Sequence, residues 1–165
     1  HDISVTDSKT ADGILQFFAG HRTTAKRVHW SDYSGGILVN RLPEQNAKIH
    51  NHMDWMLRIV DAKQALEQRG YPNTVSGEFH LDVTDDVLRQ NNGKFVFRVN
   101  QGIAELEPGG KGEIRVHIRG LAPLFSSHLS PLEICRAGLM ECPAALMPDL
   151  ASVFSGHRSW MPDTI

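Results

Sequence analysis

The sequence has little of several features that define particular protein classes. Its 165 residues include two cysteines, Cys135 and Cys142, which are too few for a disulfide framework and indicate a reducing, cytoplasmic context. No stretch approaches the ~18 consecutive apolar residues of a membrane-spanning helix. The net charge is −2 and no basic run occurs, so the charge pattern does not indicate nucleic-acid binding. An apolar fraction of 41% excludes a disordered chain and predicts a folded core.

Residues 1–50 differ in pattern from residues 51–165. In the first part, Thr10 is a candidate N-cap for an amphipathic helix that ends near Gly20, and a short strand is predicted at Arg27–Trp30. One helix and one or two strands cannot bury both faces of a sheet. We therefore expect residues 1–50 to be the end of a larger α/β domain or an appendage of the second part. The start lacks Met and has no signal-peptide pattern, which predicts a processed, trimmed or fragmentary N-terminus.

Residues 51–165 read as strands followed by helices. Asp61 is the predicted cap of a helix over Ala62–Arg69, which ends at Gly70. The strands that follow alternate apolar and polar residues, which indicates one buried face. The Ser130–Glu133 stretch is a capping box for one of the later helices. This order predicts an α+β fold with a mostly antiparallel sheet that helices cover on one side.

The histidines raise the question of a metal site. His50 and His52 lie two residues apart with Asp54 nearby, so on a strand they would face the same side. No third ligand has a spacing that completes a specific set, so a solvated linker between domains is the simpler interpretation. His80 and His117 fall on the outward faces of predicted strands, where we expect surface or rim positions.

Other polar groups also have simple structural interpretations. Asp82, Asp85 and Asp86 cluster near a strand end and could act as an acid/base pair, but a solvated turn with an Asx cap explains them better. The two cysteines have no nearby His or Asp in sequence, so we expect small core residues and not a nucleophile. The glycines at 109, 110 and 112 do not lead a strand into a helix, so no phosphate loop is predicted.

The end of the chain is unusually apolar. Trp160 and Met161 follow a predicted helix that stops at Gly156, and the last residue is Ile165. Free termini are normally polar and frayed, so this composition predicts a docked tail. A docked tail fixes the position of an α-carboxylate, whose ordinary pKa is about 3.5. The alternative is a tail that only fills a hydrophobic groove.

Several segments occur in an order that is characteristic when taken together. They are Thr10–His21, Arg27–Trp30, Trp55–Asp61, Ala65–Leu66, Arg69–Tyr71, Gly77–Asp85, Asn92–Phe95, Ile114–Leu124, Leu150–Phe154 and Trp160–Asp163. In this order they resemble the Eis-like (enhanced intracellular survival) acetyltransferases of the GNAT superfamily. The resemblance covers most of the chain, and its specificity lies in the order of the segments and not in any one motif.

The resemblance implies a sterol-carrier-protein-like domain over residues 51–165, preceded in 1–50 by the end of a GNAT-like domain and a linker. It implies a full-length, acetyl-CoA-dependent amine N-acetyltransferase that forms homo-oligomers and acts on a small-molecule or peptide amine. Family tails supply the C-terminal carboxylate to the active site of the N-terminal GNAT domain as a proposed proton acceptor. Here that residue is Ile165, which departs from the aromatic residue usual in the family.

The family's acetyl-CoA loop, Gln/Arg-x-x-Gly-x-Gly/Ala, occurs nowhere in this sequence. The chain is therefore expected to bind no cofactor and no metal by itself, and to be inactive without the missing GNAT domain. Two alternatives stay open, a structural oligomerisation domain and a lipid-binding module. In the second, a lipid tunnel would be lined by Phe79, Phe95, Phe97, Ile114, Leu121, Leu124, Phe125 and Leu146.

Overall fold

The computed structural model describes residues 3, 5–32, 36–44, 46–156 and 159–160. The chain divides into two compact units, one comprising the residues up to Asp54 together with Trp160, the other Trp55–Ser159. The fold is α+β, as predicted. The described residues form six α-helices: α1 Ser8–Gly20, α2 Ile37–Asn40, α3 Ala62–Gln68, α4 Ile118–Phe125, α5 Pro131–Arg136 and α6 Met147–Val153. They also form five strands: β1 Ser76–Thr84, β2 Gly93–Asn100, β3 Ile103–Pro108, β4 Ile114–His117 and β5 Met140–Glu141.

The first unit is built on helices α1 and α2. Helix α1 begins two residues before the predicted cap, because the side chain of Asp7 accepts from the Thr10 amide at 2.8 Å. Arg41, which follows α2, forms a two-pronged ion pair with Asp12 of α1. The strand predicted at Arg27–Trp30 is wrong, since these residues have no regular secondary structure. A strand needs a hydrogen-bonded partner, which local residue pattern alone cannot supply.

The second unit contains one five-stranded sheet in the order β3-β2-β1-β4-β5. All pairs of neighbouring strands are antiparallel except β1 and β4, which are parallel. On β1 the side chains of Phe79, Leu81 and Val83 are buried, as their spacing predicts. On β4 the alternation of buried and exposed residues ends at His117, because Ile118 begins helix α4. The sheet therefore has one apolar face and one more polar face.

The core lies between the apolar face of the sheet and the helices α3 to α6. Phe97 is fully buried, and its ring lies 5.6 Å from that of Tyr71, 5.7 Å from that of Phe154 and 6.2 Å from that of Phe79. Such tilted and stacked ring pairs add stabilisation beyond the burial of their area. The core is therefore densely aromatic at the end of the sheet that faces α6.

Two predicted helix starts agree with the structure. Asp61 caps α3 by accepting from the Gln64 amide at 2.8 Å. Ser130 and Glu133 form the predicted capping box of α5, with Pro131 at its first position. Gly70 follows α3 with φ +76°, a left-handed conformation that favours glycine and lets the chain turn toward β1. Among the described residues, no helix has the length and apolar composition needed to cross a membrane.

Candidate functional site

Arg69 lies at the end of helix α3 and connects three parts of the second unit. Its Nε donates to the carbonyl of Phe125 at 2.6 Å, and its Nη2 donates to Ser127 Oγ at 2.8 Å and to the carbonyl of Phe154 at 3.1 Å. Nη1 donates to the carbonyl of Gly70 at 3.0 Å. A planar guanidinium with several fixed donors suits this task, because one side chain can reach the ends of α3, α4 and α6 at once.

The charge of Arg69 is met by neutral oxygens and aromatic rings. Its guanidinium carbon lies 5.0 Å from the ring centroid of Tyr71 and 5.3 Å from that of Phe154, within the range of cation–π attraction. Burial lowers the pKa of Arg69. Burial also raises the pKa of Tyr71, whose hydroxyl donates to the carbonyl of Leu66 at 2.7 Å. The guanidinium of Arg69 and the hydroxyl of Tyr71 therefore both have partners within the second unit.

The turn after α4 connects Arg69 to the segment that follows α6. Ser127 has φ +54°, and its hydroxyl donates to the carbonyl of Phe154 at 2.9 Å. The carbonyl of Ser126 accepts from the hydroxyl of Ser159 at 2.7 Å. A Cβ at Gly156 would lie 2.9 Å from Ser127 Oγ, so a larger residue there would displace the Ser127 hydroxyl. Arg69, Ser126 and Ser127, here called the Arg69 clamp, thus contact the chain at both ends of residues 154–159.

The Arg69 clamp contacts the chain shortly before the tail that the sequence singled out. The predicted site residue Ile165, like Met161, lies outside the described residues. Ser159, whose hydroxyl donates to the carbonyl of Ser126, is six positions before Ile165 in the sequence. Sequence reasoning did not single out this arginine, although a lone arginine before Gly and Tyr at a helix end is a usable signal.

A second polar network surrounds Asp85, which is 3% exposed. Its Oδ1 accepts from the amides of Val87 at 2.9 Å and Leu88 at 3.0 Å, and from Arg58 at 2.6 Å. Its Oδ2 accepts from Arg58 and Asn91, each at 2.9 Å. The expectation of a solvated turn is therefore wrong for Asp85, although the Asx cap itself is present. The turn folds back onto the residues before α3, where Asn91 Oδ1 accepts from the Ala62 amide at 2.9 Å.

The environment of Asp85 fixes its ionised form. Burial alone would raise the pKa of this carboxyl group. Hydrogen bonds from Asn91, from the amides of Leu88 and Val87, and from Arg58 outweigh burial and hold the pKa well below its usual range. A carboxylate with every acceptor position engaged is a poor proton acceptor, so Asp85 has a structural role and does not form an acid/base pair with Asp82 or Asp86.

Comparison with known proteins places the second unit in a family. The sequence model of the sterol carrier protein domain matches residues 62–162. The chain belongs to the sterol carrier protein domain family. No curated protein matches it in sequence.

Solved structures similar to this sterol carrier domain chain include longer proteins. A GCN5-related N-acetyltransferase from Anabaena variabilis is 37% identical over 94% of this chain, with a TM-score of 0.87, and the chain spans 40% of its length. A GCN5-related N-acetyltransferase from Kribbella flavida is 27% identical over 66% of this chain and 28% of its own length, with a TM-score of 0.61. Eis1 from Mycobacterium abscessus, 22% identical over 61% of this chain and 25% of its own, shares the fold with a TM-score of 0.52.

Two histidines of this sterol carrier domain chain, His80 and His117, have partners within the fold. His80 Nδ1 accepts from the Lys111 amide at 3.1 Å, and its Nε2 lies 3.3 Å from Glu78. His117 Nδ1 accepts from the Arg119 amide, and its Nε2 lies 3.1 Å from Asp86. The two side chains are 18% and 22% exposed, which agrees with the rim position that was one of the two alternatives expected for them. Within the ranges that the structure describes, no cluster of three metal-ligating side chains occurs, and His52 instead pairs with Asp54 at 2.9 Å.

The cysteines lie against the core. Neither Cys135 nor Cys142 forms a disulfide, and both are partly buried. Burial raises the pKa of Cys135, and it raises the pKa of Cys142 to about 11. A thiol with a raised pKa holds little thiolate at neutral pH, which agrees with the expectation that neither is a nucleophile.

The residues named for a lipid tunnel form the core of the sterol carrier domain. Five of the eight are buried in it, and the other three pack against it as partly buried residues: Phe79, Phe97, Ile114, Leu121 and Leu124 in the first group, Phe95, Phe125 and Leu146 in the second. A separate groove of about 250 Å³ lies on the polar side of the sheet, where Arg115, His117 and Glu141 contribute to its walls. This groove is lined by mixed charges and is not an apolar tunnel.

Proposed function

We propose that this chain is the C-terminal portion of an Eis-like, acetyl-CoA-dependent amine N-acetyltransferase. The carrying observation is the 37% identity over 94% of the chain with the Anabaena N-acetyltransferase, of which the chain spans 40%. In this proposal residues 51–165 are the sterol-carrier-like domain, and residues 1–50 are the end of a GNAT-like domain with a linker. Homo-oligomer formation is part of the same proposal.

In the proposed enzyme, acetyl-CoA supplies the acetyl group and binds to the part of the protein outside this chain. The absence of the pyrophosphate loop from this sequence supports that division. The acceptor is a small-molecule or peptide amine. This chain contributes the α-carboxylate of Ile165, which takes up the proton that the substrate amine loses.

A carboxylate with an ordinary pKa near 3.5 is a weak base at neutral pH. Proton transfer is efficient when the pKa of the acceptor lies near the working pH, and burial in an apolar site raises the pKa of a carboxyl group. The apolar residues of the tail, Trp160 and Met161, suit docking into such a site. The Arg69 clamp supports the proposal because it fixes the chain six residues before the carboxylate.

The test uses the product of the natural gene. Its intact mass and its release of CoA thiol with a panel of primary amines are measured. A Gly-Ser pair appended after Ile165 moves the carboxylate, and we expect it to lower kcat/KM about 100-fold or more. The matched control Ile165→Leu keeps the carboxylate in place and retains activity within a few-fold.

Two results would contradict the proposal. An extended protein with the full rate shows that the carboxylate has no catalytic role. A natural product of the mass of this chain alone, without acetyl transfer, rules out the transferase function and leaves lipid binding, tested by extraction and mass analysis.

A further inference from the structure

The segment before helix α3 exposes an unusual run of large apolar side chains. Met56 is fully exposed, Leu57 is 50% exposed and Trp55 is 43% exposed. Three consecutive large apolar residues in water form a continuous patch, and such patches on folded proteins mark surfaces that another structure covers.

The main chain of this segment is also unpaired. No main-chain N–H or C=O group from Trp55 to Ile59 hydrogen bonds to another described residue of the second unit, and the segment has no regular secondary structure. Main-chain groups of an apolar segment are normally paired when the segment is covered. A structure that covers this segment must therefore supply main-chain donors and acceptors as well as apolar side chains.

The segment is nevertheless fixed at its end. Arg58 Nη2 donates to both carboxylate oxygens of Asp85, at 2.6 and 2.9 Å, and Ile59 is 4% exposed. The carbonyl of Val60 accepts from Asn91 at 3.4 Å. A flexible linker is typically rich in Gly and Ser and is free of such contacts. Trp55–Ile59 is instead anchored at its end, so its unpaired main-chain groups and exposed apolar side chains are held in a fixed position.

We propose that Trp55–Ile59 is a β-strand of a sheet whose other strands lie in the part of the longer protein outside this chain. Trp and Ile favour strands, and an unpaired apolar strand pairs readily with an open sheet edge. The inference rests on the proposed function, because the covering partner is the remaining length that the Anabaena relative has and this chain lacks. The partner is therefore the same polypeptide and not a second copy.

The test is amide hydrogen exchange on the natural gene product, with acetyl transfer measured on the same preparation. We expect alternate amides from Trp55 to Ile59 to exchange about 100-fold or more slowly than in an unfolded peptide, because a paired edge strand protects every second amide. Unprotected amides in an active enzyme overturn this inference and leave the proposed function standing. Protected amides in an inactive product support the strand and count against the transferase. Protection that disappears on dilution assigns the partner to a second copy and overturns the proposal.

A pair of leucine variants tests the side-chain contacts. Leu57 and Leu132 are 50% and 48% exposed, so the chain itself buries them equally. In the natural product Leu57→Asp is expected to lower the melting temperature by about 5 °C or more, and the control Leu132→Asp by less than about 2 °C. Equal shifts for the two variants would show that nothing covers Leu57 and would overturn the proposal.

Discussion

The two ends of helix α3 are held by side chains of opposite charge. Before its first turn, Asp85 and Asn91 contact the residues that lead into the helix, and after its last turn Arg69 contacts the carbonyls of other elements. Both arrangements place charge where the helix dipole favours it, negative near the N-terminus and positive near the C-terminus. The two ends differ in what balances the charge.

The negative charge of Asp85 is balanced by a cationic side chain and by hydrogen-bond donors that point at the carboxylate. Arg58 supplies the opposite charge, and two amides and Asn91 complete the shell, so the carboxylate is the centre of a closed network. Arg69 is balanced by carbonyls, one hydroxyl and two ring faces. The network at the first end of α3 therefore stabilises the residues that lead into the helix. The second end connects chain segments that lie more than fifty positions apart.

The largest expected effect comes from opening the closed network. Asp85→Asn removes the negative charge and places an NH₂ group against the donors of Arg58 or Asn91. We expect the melting temperature of the natural product to fall by about 10 °C, because buried donors lose their acceptor. The control is Asp86→Asn, since Asp86 is exposed and its removal leaves the network intact. Equal shifts for the two variants would show that the network contributes little.

The same residue gives a pH test with a definite sign. The pKa of Asp85 in the folded protein lies well below its usual value near 3.8, so its stabilisation is complete above about pH 5 and is lost as the pH falls. Between pH 5 and pH 2 the free energy of unfolding of the wild type should fall more steeply than that of Asp85→Asn. Parallel curves for the two proteins in a denaturant series would contradict the assigned pKa shift.

At the other end of α3 we expect a smaller loss of stability than at Asp85, but a larger loss of activity. Arg69→Ala removes four hydrogen bonds and should cost about 2 kcal/mol, and Arg69→Lys should recover part of it. If the Arg69 clamp positions the carboxylate of Ile165, Arg69→Ala lowers the kcat of the proposed enzyme while KM stays within a few-fold. Both constants are measured at a temperature well below the melting temperature of the variant. The control is Arg119→Ala. If folded Arg69→Ala has the same kcat as this control, the Arg69 clamp has only a structural role.

The smallest effect is expected on the polar face of the sheet. Arg98 bridges Glu78 of β1 and Glu107 of β3 at 2.7 and 2.6 Å, but all three side chains are solvated. Arg98→Ala should change the melting temperature by less than about 2 °C at low salt. At 1 M salt the difference should vanish, because charges in water are then screened within about 3 Å. A large, salt-independent loss in a melting experiment would show that this face is covered.

The strands and caps were predictable because the patterns that indicate them involve residues close together in the sequence. The alternation of Phe79, Leu81 and Val83 requires only a period of two, and the capping box at Ser130 requires only four residues. The burial of Asp85 was not predictable in this way, since its partner Arg58 lies 27 positions earlier. The strand expected at Arg27–Trp30 failed for the same reason, because its pattern carries no information about a pairing partner.

The candidate site shows the same limit. The apolar tail drew attention to Ile165, but Arg69, Ser126 and Ser127 act through contacts with Phe154 and Ser159 that only the folded chain brings together. Tyr71 is buried although it lies between a helix and a strand, and the guanidinium of Arg69 lies 5.0 Å from its ring centroid. Long-range contacts of this kind determine the clamp, and sequence spacing does not reveal them.

The single parallel strand pair has a consequence for synthesis of the chain. Strands β1, β2 and β3 form a meander whose contacts are close in sequence, so they can pair early, while one edge of β1 waits for β4. During translation that edge stays open until Ile114–His117 leaves the ribosome. The nascent chain therefore passes through a stage with an open strand edge, and unpaired edges of this kind favour pairing with other chains.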